Sequence, residues 1–170
     1  MIAKESVPQR EKKLRGEAFE DIVIEELEHK GCRIAQRFQT SATGDTRPDL
    51  YAYCDGKLKR IEAKVALAWQ KEGRGVRAGR FLLSPEASFK ECYAFGTDDQ
   101  LEETLAINVV RAEKPDEFIR THGKYPKYPI TEVDKIKDTD RCFPDMGTVV
   151  RPRADLIDRV KERMMNEDRG

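Results

Sequence analysis

The dipeptide Asp55-Gly56 constrains the fold of this chain more than any other feature of its sequence. Asp-Gly is a typical two-residue turn of a β-hairpin, because both residues accept the positive φ angles that such a tight turn requires. The segments on either side, PDLYAY (48–53) and KLKRIEAKV (57–65), are bounded and patterned like two short strands. The sequence therefore predicts an antiparallel hairpin centred on this dipeptide.

The register of this hairpin brings two carboxylates together. If Cys54 and Lys57 flank the turn, Asp49 and Glu62 lie directly opposite each other on one face, with Cβ atoms about 4.5–5.5 Å apart. Two like charges so placed destabilise a sheet unless a proton or a cation lies between them, and a divalent cation with oxygen ligands is the ordinary solution. Lys64 is predicted to share this face, two residues after Glu62.

The alternation of the second strand also predicts where the core lies. Ile61, Ala63 and Val65 alternate with Glu62 and Lys64, so they point to the opposite face of the hairpin. An apolar face of this kind is expected to pack against the core of the domain. The apolar pattern therefore supports the register independently of any function.

A third carboxylate comes from the first predicted helix, EKKLRGEAFEDIVIEELEHK (11–30), which we expect to end at Gly31. Glu20 lies on the same stripe of this helix as Val23 and Leu27, and that stripe should pack inward. Burying an unpaired charge is costly, so this carboxylate needs a partner. The cation site on the sheet is an available one.

The rest of the chain predicts one α/β domain built on a mixed sheet. A second helix is predicted to start at Ser84, a good N-cap residue, and to run to about Gly96. Residues 153–169 predict a terminal amphipathic helix, whereas residues 113–150 predict only loops with short strands. The glycine-rich segment 66–80 should be mobile. Further short strands are predicted at residues 32–38, 81–83 and 103–112.

Length and composition narrow the class of protein. The chain has 170 residues, 38% hydrophobic and 38% charged, which is typical of one globular domain with a heavily charged surface. No apolar run approaches the roughly 20 residues that span a bilayer, and the N-terminus lacks the apolar segment of a signal peptide. We therefore expect a cytoplasmic protein with reduced thiols. The cysteines are widely spread, form no CxxC pair and do not predict a zinc site: Cys32, Cys54, Cys92 and Cys142.

Basic charge is concentrated in residues 57–90, which carry nine Lys or Arg against three Asp or Glu, although the net charge of the chain is zero. A local basic patch attracts phosphate better than the charge of the whole chain predicts. Such contacts bind nucleic acid without reading its sequence. The candidates on the glycine-rich segment are Lys71, Arg74, Arg77 and Arg80. A solvated loop that binds nothing is an equally open interpretation.

Two motifs carry a resemblance to a known family. Pro-Asp at residues 48–49, followed on the next strand by Glu-Ala-Lys at residues 62–64, resembles the PD-(D/E)xK nuclease motif. The segment RGEAFE (15–20) resembles the start of the first helix in archaeal-type Holliday junction resolvases. The resemblance covers roughly residues 12–110 of this chain.

This resemblance implies a restriction-endonuclease-like core in residues 1–112, with a central mixed sheet flanked by helices. Residues 113–170 would then be a C-terminal extension of the same domain. The resemblance also implies a Mg²⁺-dependent homodimer that resolves four-way (Holliday) DNA junctions by paired nicks. The catalytic residues that it implies are Glu20, Asp49, Glu62 and Lys64.

In a nuclease of this kind, Mg²⁺ or Mn²⁺ is expected to be held by Asp49, Glu62 and the carbonyl oxygen of Ala63. The ion lowers the pKa of bound water and polarises a phosphate oxygen. Lys64 is expected to orient the attacking water and to stabilise the negative charge that develops. Glu20 would hold a second cation or a water on the first.

Three alternatives stay open. Another PD-(D/E)xK nuclease, of the restriction or repair type, would act on linear duplex DNA. A non-catalytic DNA-binding module would have no use for clustered acids that face phosphate, so the four implied residues speak against it. Glu-x-Lys tripeptides are also common in a chain this charged, and alone they are typical of a solvated strand face.

Overall fold

The computed structural model describes residues 7–38, 49–66, 69–71, 75–77, 81–82, 92–99, 102–111, 127–128 and 138–169. Within these ranges the chain forms two α-helices, a mixed six-stranded sheet and two further pairs of short strands, an α/β architecture as the sequence predicts. Neither helix is long and apolar enough to cross a membrane. The elements are α1 (Val7–Lys30), β1 (Arg33–Arg37), β2 (Leu50–Cys54), β3 (Lys57–Ala66), β4 (Trp69–Lys71), β5 (Gly75–Arg77), β6 (Phe81–Leu82), β7 (Cys92–Asp99), β8 (Thr104–Arg111), β9 (Lys127–Tyr128), β10 (Val149–Pro152) and α2 (Arg153–Arg169).

The large sheet has the strand order β1-β2-β3-β7-β8-β10. Neighbouring strands are antiparallel except β3 and β7, which are parallel. The hydrophobic core lies on one side of this sheet, where its apolar side chains meet those of α1 and α2. We call the side that carries Leu50, Ile61, Ala94 and Ile107 the helix face, and the opposite side the outer face.

Helix α1 begins a few residues before the predicted helix and ends, as predicted, at Gly31. Gly31 has a φ of 109°, which costs glycine little. Its N–H donates to the carbonyl of Glu28, and the N–H of Cys32 donates to the carbonyl of Leu27. These two bonds form a Schellman motif, which satisfies carbonyls that the end of a helix leaves open. The apolar side chains that α1 buries are Leu14, Ala18, Phe19, Ile22, Val23 and Leu27.

The β2–β3 hairpin has the predicted register. Asp55 and Gly56 both have positive φ, 55° and 78°, as a type I′ turn requires. Cys54 pairs with Lys57, and the register is kept through the whole ladder. Alternate residues of β2, starting at Leu50, are buried on the helix face. The turn chemistry was therefore sufficient to fix the pairing of these two strands.

The predicted helix from Ser84 to about Gly96 is wrong over its C-terminal part. Residues Cys92–Asp99 form the central strand β7, which pairs with β3 on one side and with β8 on the other. Most side chains of β7 are buried on both faces, so the strand lacks the alternation of a half-exposed one. A short apolar run of this kind does not distinguish a strand from a buried helix. Residues 83–91 lie outside the described residues.

Gly96 lies where α1 packs on β7, and this contact predicts a stability effect. A Cβ atom at this position would lie 2.4 Å from a ring carbon of Phe19, which is fully buried. We expect Gly96→Ala to lower the free energy of unfolding by about 1–3 kcal/mol in urea denaturation. Gly16→Ala is the matched control, because no atom lies within 4 Å of its added methyl, and alanine should stabilise α1 there. Equal effects of the two substitutions would contradict this packing.

The C-terminal elements attach to the same core. Strand β10 pairs with β8 at the edge of the sheet, and α2 packs Leu156, Val160 and Met164 against the hydrophobic core. Helix α2 lies against α1. Arginines of this region bind carboxylates of α1: Arg151 to Glu26 at 2.7 Å, Arg159 to Glu25 at 2.5 Å, and Arg163 to Glu17 at 3.2 Å.

The structure joins the four cysteines in two disulfides, Cys32–Cys54 and Cys92–Cys142. The expectation of reduced thiols is therefore wrong for this structure. Their partners are 22 and 50 residues apart in sequence, and each bond depends on how distant strands pair. Cys32 precedes β1 and Cys54 ends β2, so the β1–β2 register places them opposite each other.

Candidate active site

Asp49 is fixed at the end of the hairpin, where β1, β2 and β3 meet. Its carbonyl accepts a hydrogen bond from the N–H of Phe38 at 2.9 Å. Its side-chain Oδ2 accepts a hydrogen bond from the N–H of Ala63 on β3, also at 2.9 Å. These contacts hold the carboxylate beside β3 and orient one of its oxygens. Asp49 keeps part of its surface exposed, so a ligand can reach it.

Glu62 is the residue opposite Asp49. The last pair of the described ladder is Leu50–Ile61, and both residues are fully buried on the helix face. The next pair along the same register is Asp49–Glu62, so Glu62 points to the outer face. Its side chain is half-buried, and its Oε2 atom is enclosed. The sequence-predicted juxtaposition of the two carboxylates is therefore present in the fold.

The pKa of Asp49 reflects the charges of the two other predicted carboxylates, Glu62 and Glu20. Burial is the largest cause, and the charges of Glu62 and then Glu20 add to it, so that the pKa of Asp49 rises to about 7. The hydrogen bond from Ala63 and the positive charge of Lys64 act against this shift. The raised pKa of Asp49 therefore reflects its burial and its repulsion by the other carboxylates, which the charge of Lys64 only partly offsets.

Glu20 lies on the buried stripe of α1, as predicted, with 3% of its surface exposed. Its partner is a residue that sequence reasoning missed. The Nε of Arg37 donates to Oε1 of Glu20 at 3.0 Å, and Nη1 of the same arginine donates to Asp21 at 2.6 Å. The register of β1 shifts between Ile34 and Gln36, which turns Arg37 to the helix face. A role for Glu20 at a cation stays a prediction.

Lys64 and Ala63 take the positions that the alternation of β3 predicts. Lys64 is half-buried and pairs in register with Phe95 of β7, on the outer face with Glu62. Ala63 packs partly against the core and gives its N–H to Asp49. The two acids and the lysine therefore lie on one surface at the junction of the hairpin with β7.

Tyr93 is a second residue that sequence reasoning missed. It pairs in register with Glu62, is 1% exposed and stacks on Phe95 with ring centroids 5.4 Å apart. Burial raises the pKa of Tyr93, and the charges of Glu62 and Asp49 raise it further. The phenol is therefore a neutral group beside the carboxylates at any physiological pH. The wrong helix prediction for this segment concealed it, because in a helix Tyr93 would not have met Glu62.

The predicted phosphate contacts fall in a less completely described segment. Trp69–Lys71 and Gly75–Arg77 pair as the hairpin β4–β5, which the sequence did not predict. Lys71 pairs with Gly75 and Arg77 pairs with Trp69, at opposite ends of this pairing, whereas Arg74 and Arg80 lie outside the described residues. Contact of these four residues with DNA stays a prediction.

The predicted divalent cation requires a set of oxygen donors. Among the side chains that the structure describes, no three Asp, Glu, His or Cys residues form a group that could hold a metal ion. Asp49 and Glu62 alone nevertheless suit Mg²⁺, which is usually bound by one or two carboxylates together with substrate phosphates. A cation would also relieve the repulsion that raises the pKa of Asp49. Asp49 and Glu62 are therefore the two carboxylates that would hold the predicted Mg²⁺, and a role for Glu20 beside them stays a prediction.

Comparison of this chain with protein-family models, with curated proteins and with solved structures finds no match. The resemblance to PD-(D/E)xK nucleases therefore depends on the motif residues and on how the fold arranges them. Three features of that arrangement bear on function: two opposed carboxylates, a lysine on the same face and an orienting backbone N–H.

Proposed function

We propose that this protein is a metal-dependent DNA endonuclease of the PD-(D/E)xK kind that resolves four-way junctions by paired nicks. The observation that carries the proposal is the placement of Asp49 opposite Glu62, with Lys64 on the same face of β3. A strand face that only meets solvent gains nothing from opposed acids, because they destabilise the sheet. A surface that only binds DNA gains nothing either, because acids repel phosphate.

In this proposal, Asp49 and Glu62 hold Mg²⁺ or Mn²⁺, with the Ala63 carbonyl as a third donor. The ion supplies Lewis-acid polarisation of a phosphate oxygen and a more acidic water. The N–H of Ala63 orients Asp49 before the ion binds. Lys64 stabilises the negative charge that develops on the phosphate, in a site partly shielded from water. Tyr93 stays protonated beside Glu62.

The topology is compatible with a restriction-endonuclease-like core. Such a core needs a mixed sheet with its catalytic hairpin beside a parallel strand, and here β2–β3 lies beside β7. Glu20 comes from α1, which packs on the helix face of the same strands. The α1–α2 packing leaves the outer face of the hairpin clear of both helices. Paired nicks require two such sites, so we propose that the active form is a symmetric homodimer.

Cleavage of a mobile four-way junction against a matched linear duplex tests this proposal. We expect symmetric nicks in the junction with Mg²⁺ or Mn²⁺ and no nicks with EDTA, because the two acids repel phosphate unless a cation lies between them. Products are read on a denaturing gel with each strand labelled in turn. Equal cleavage of the duplex would remove the junction preference and favour a restriction or repair nuclease. No cleavage of either DNA with either metal would remove the nuclease proposal.

A further inference from the structure

The outer face of strands β1–β3 carries a continuous set of aromatic, aliphatic and arginine side chains. The strand registers arrange them in two rows across the three strands, next to the row that contains Asp49 and Glu62. We call this set the outer hairpin surface. It consists of Arg33, Tyr53 and Leu58 in one row and Gln36, Tyr51 and Arg60 in the next.

Two large apolar side chains of this surface are exposed side by side. Tyr53 is 41% exposed and Leu58 is 43% exposed, and they are direct partners in the β2–β3 ladder. In the part of the chain that the structure describes, the other exposed large hydrophobic residues are Val150 and Met165, which are far away in sequence. Their adjacency makes them one continuous exposed apolar patch rather than two isolated residues.

The aromatic rings of this surface are already arranged by neighbours. The guanidinium of Arg33 lies 5.0 Å from the centroid of the Tyr53 ring, and the ring of Phe38 meets that of Tyr51 edge-on at 5.6 Å. Such contacts fix the planes of the rings and reduce the entropy lost when a flat ligand stacks on them. The ring of Tyr53 keeps enough exposed surface to accept such a ligand.

The charge of the surface selects an anionic ligand. Its two rows contain Arg33 and Arg60 and no carboxylate. The acid at the turn, Asp55, lies at the end of the hairpin, within 3.6 Å of Lys30. A cationic surface with exposed aromatic rings has the composition of a site for nucleic acid, in which bases stack and phosphates meet arginine.

The spacing of the two tyrosines selects the form of the nucleic acid. Tyr51 and Tyr53 are two residues apart on one strand, so their rings stand about 7 Å apart along it. Bases in a duplex are stacked about 3.4 Å apart and present no free ring face. Only a strand whose bases are unpaired and spread apart can place successive bases on both rings.

We propose that the outer hairpin surface binds a DNA strand with unpaired bases, which stack on Tyr51 and Tyr53 while Arg33 and Arg60 contact its phosphates. The DNA strand then runs along β2 towards the row that contains Asp49. This inference stands apart from the proposed cleavage, because stacking requires neither a metal ion nor the carboxylates.

The test is fluorescence anisotropy of a labelled, unstructured oligothymidine, measured with EDTA so that no cleavage occurs. We expect Tyr53→Ala to weaken binding about tenfold, which corresponds to about 1.4 kcal/mol, because one stacked base is lost. Tyr53→Phe keeps the ring and should bind within about twofold of the parent protein. Val150→Ala is the matched control, since it removes an exposed apolar side chain from β10 on the same side of the sheet and should change nothing.

A second measurement separates stacking from charge. Arg33→Gln should lower the slope of log Kd against log salt by about 0.7, as expected when one phosphate contact to a single strand is lost. Duplex DNA of the same length should bind more weakly than the oligothymidine. Equal binding of the duplex, unchanged binding by Tyr53→Ala or no binding by the parent protein would each overturn the inference. Because cleavage is absent from this assay, none of these results depends on whether the protein is a nuclease.

Discussion

Replacing Glu62 by Gln is expected to abolish metal-dependent cleavage while leaving the fold and DNA binding intact. Gln keeps the size of the side chain but removes the charge that would hold the cation and the repulsion with Asp49. Loss of one group that acts mainly in the transition state lowers kcat by about a hundredfold or more. Single-turnover cleavage of the junction measures this loss, and anisotropy with EDTA measures binding.

Glu102→Gln is the matched control for this substitution. Glu102 is an exposed acid in the turn between β7 and β8, and its replacement should leave cleavage unchanged. Circular dichroism and thermal unfolding establish that both variants are folded. Cleavage by Glu62→Gln at the parent rate would exclude Glu62 from the mechanism and with it the two-carboxylate site.

The parts of the fold that the sequence predicted are those that local chemistry decides. Asp55-Gly56 selects its turn through two positive φ angles, and this turn sets the register that brings Asp49 opposite Glu62. Gly31 ends α1 through hydrogen bonds within the last turn of that helix. In each case the residues that determine the structure lie a few positions apart, so a short stretch of sequence is enough to predict it.

The parts that the sequence did not predict depend on pairing between distant segments. The sequence of β7 lacks the alternation of a half-exposed strand because both of its faces are buried. Its pairing with β3 and β8 identifies it as a strand. The disulfides join cysteines that only the folded sheet brings together. Local patterns give no information about such partners, and tertiary contacts override local preference where the two disagree.

The same division applies to the candidate site. Asp49, Glu62 and Lys64 follow from one hairpin, and the sequence placed them correctly. Arg37 reaches Glu20 only because the register of β1 shifts, and a strand without that shift would turn it to the outer face. A buried acid on α1 predicted that a partner exists, but its identity required the structure.

The metal-free protein is expected to lose stability as the pH rises from about 4 to about 7, and Asp49→Asn should remove this loss. The folded pKa of Asp49 is about 7, well above its ordinary value of 3.8. Between these values the folded protein holds a proton that the unfolded chain releases, so rising pH favours unfolding until the folded carboxyl is also ionised. Each tenfold change in proton affinity corresponds to about 1.4 kcal/mol, so the total effect is a few kcal/mol at most. Urea denaturation at several pH values measures it.

Asn at position 49 keeps an oxygen that can accept the N–H of Ala63, so the variant should be more stable than the parent protein at pH 8 without metal. Mg²⁺ should then stabilise the parent protein at pH 8 and leave the variant unchanged, because binding to the folded state alone shifts the equilibrium. Asp145→Asn is the control: a hydrogen bond from Lys30 lowers the pKa of this exposed acid, so its removal should leave the decline between pH 4 and 7 in place. If Asp49→Asn kept the same loss of stability with rising pH and the same response to Mg²⁺, the prediction that a cation relieves the repulsion between Asp49 and Glu62 would be wrong.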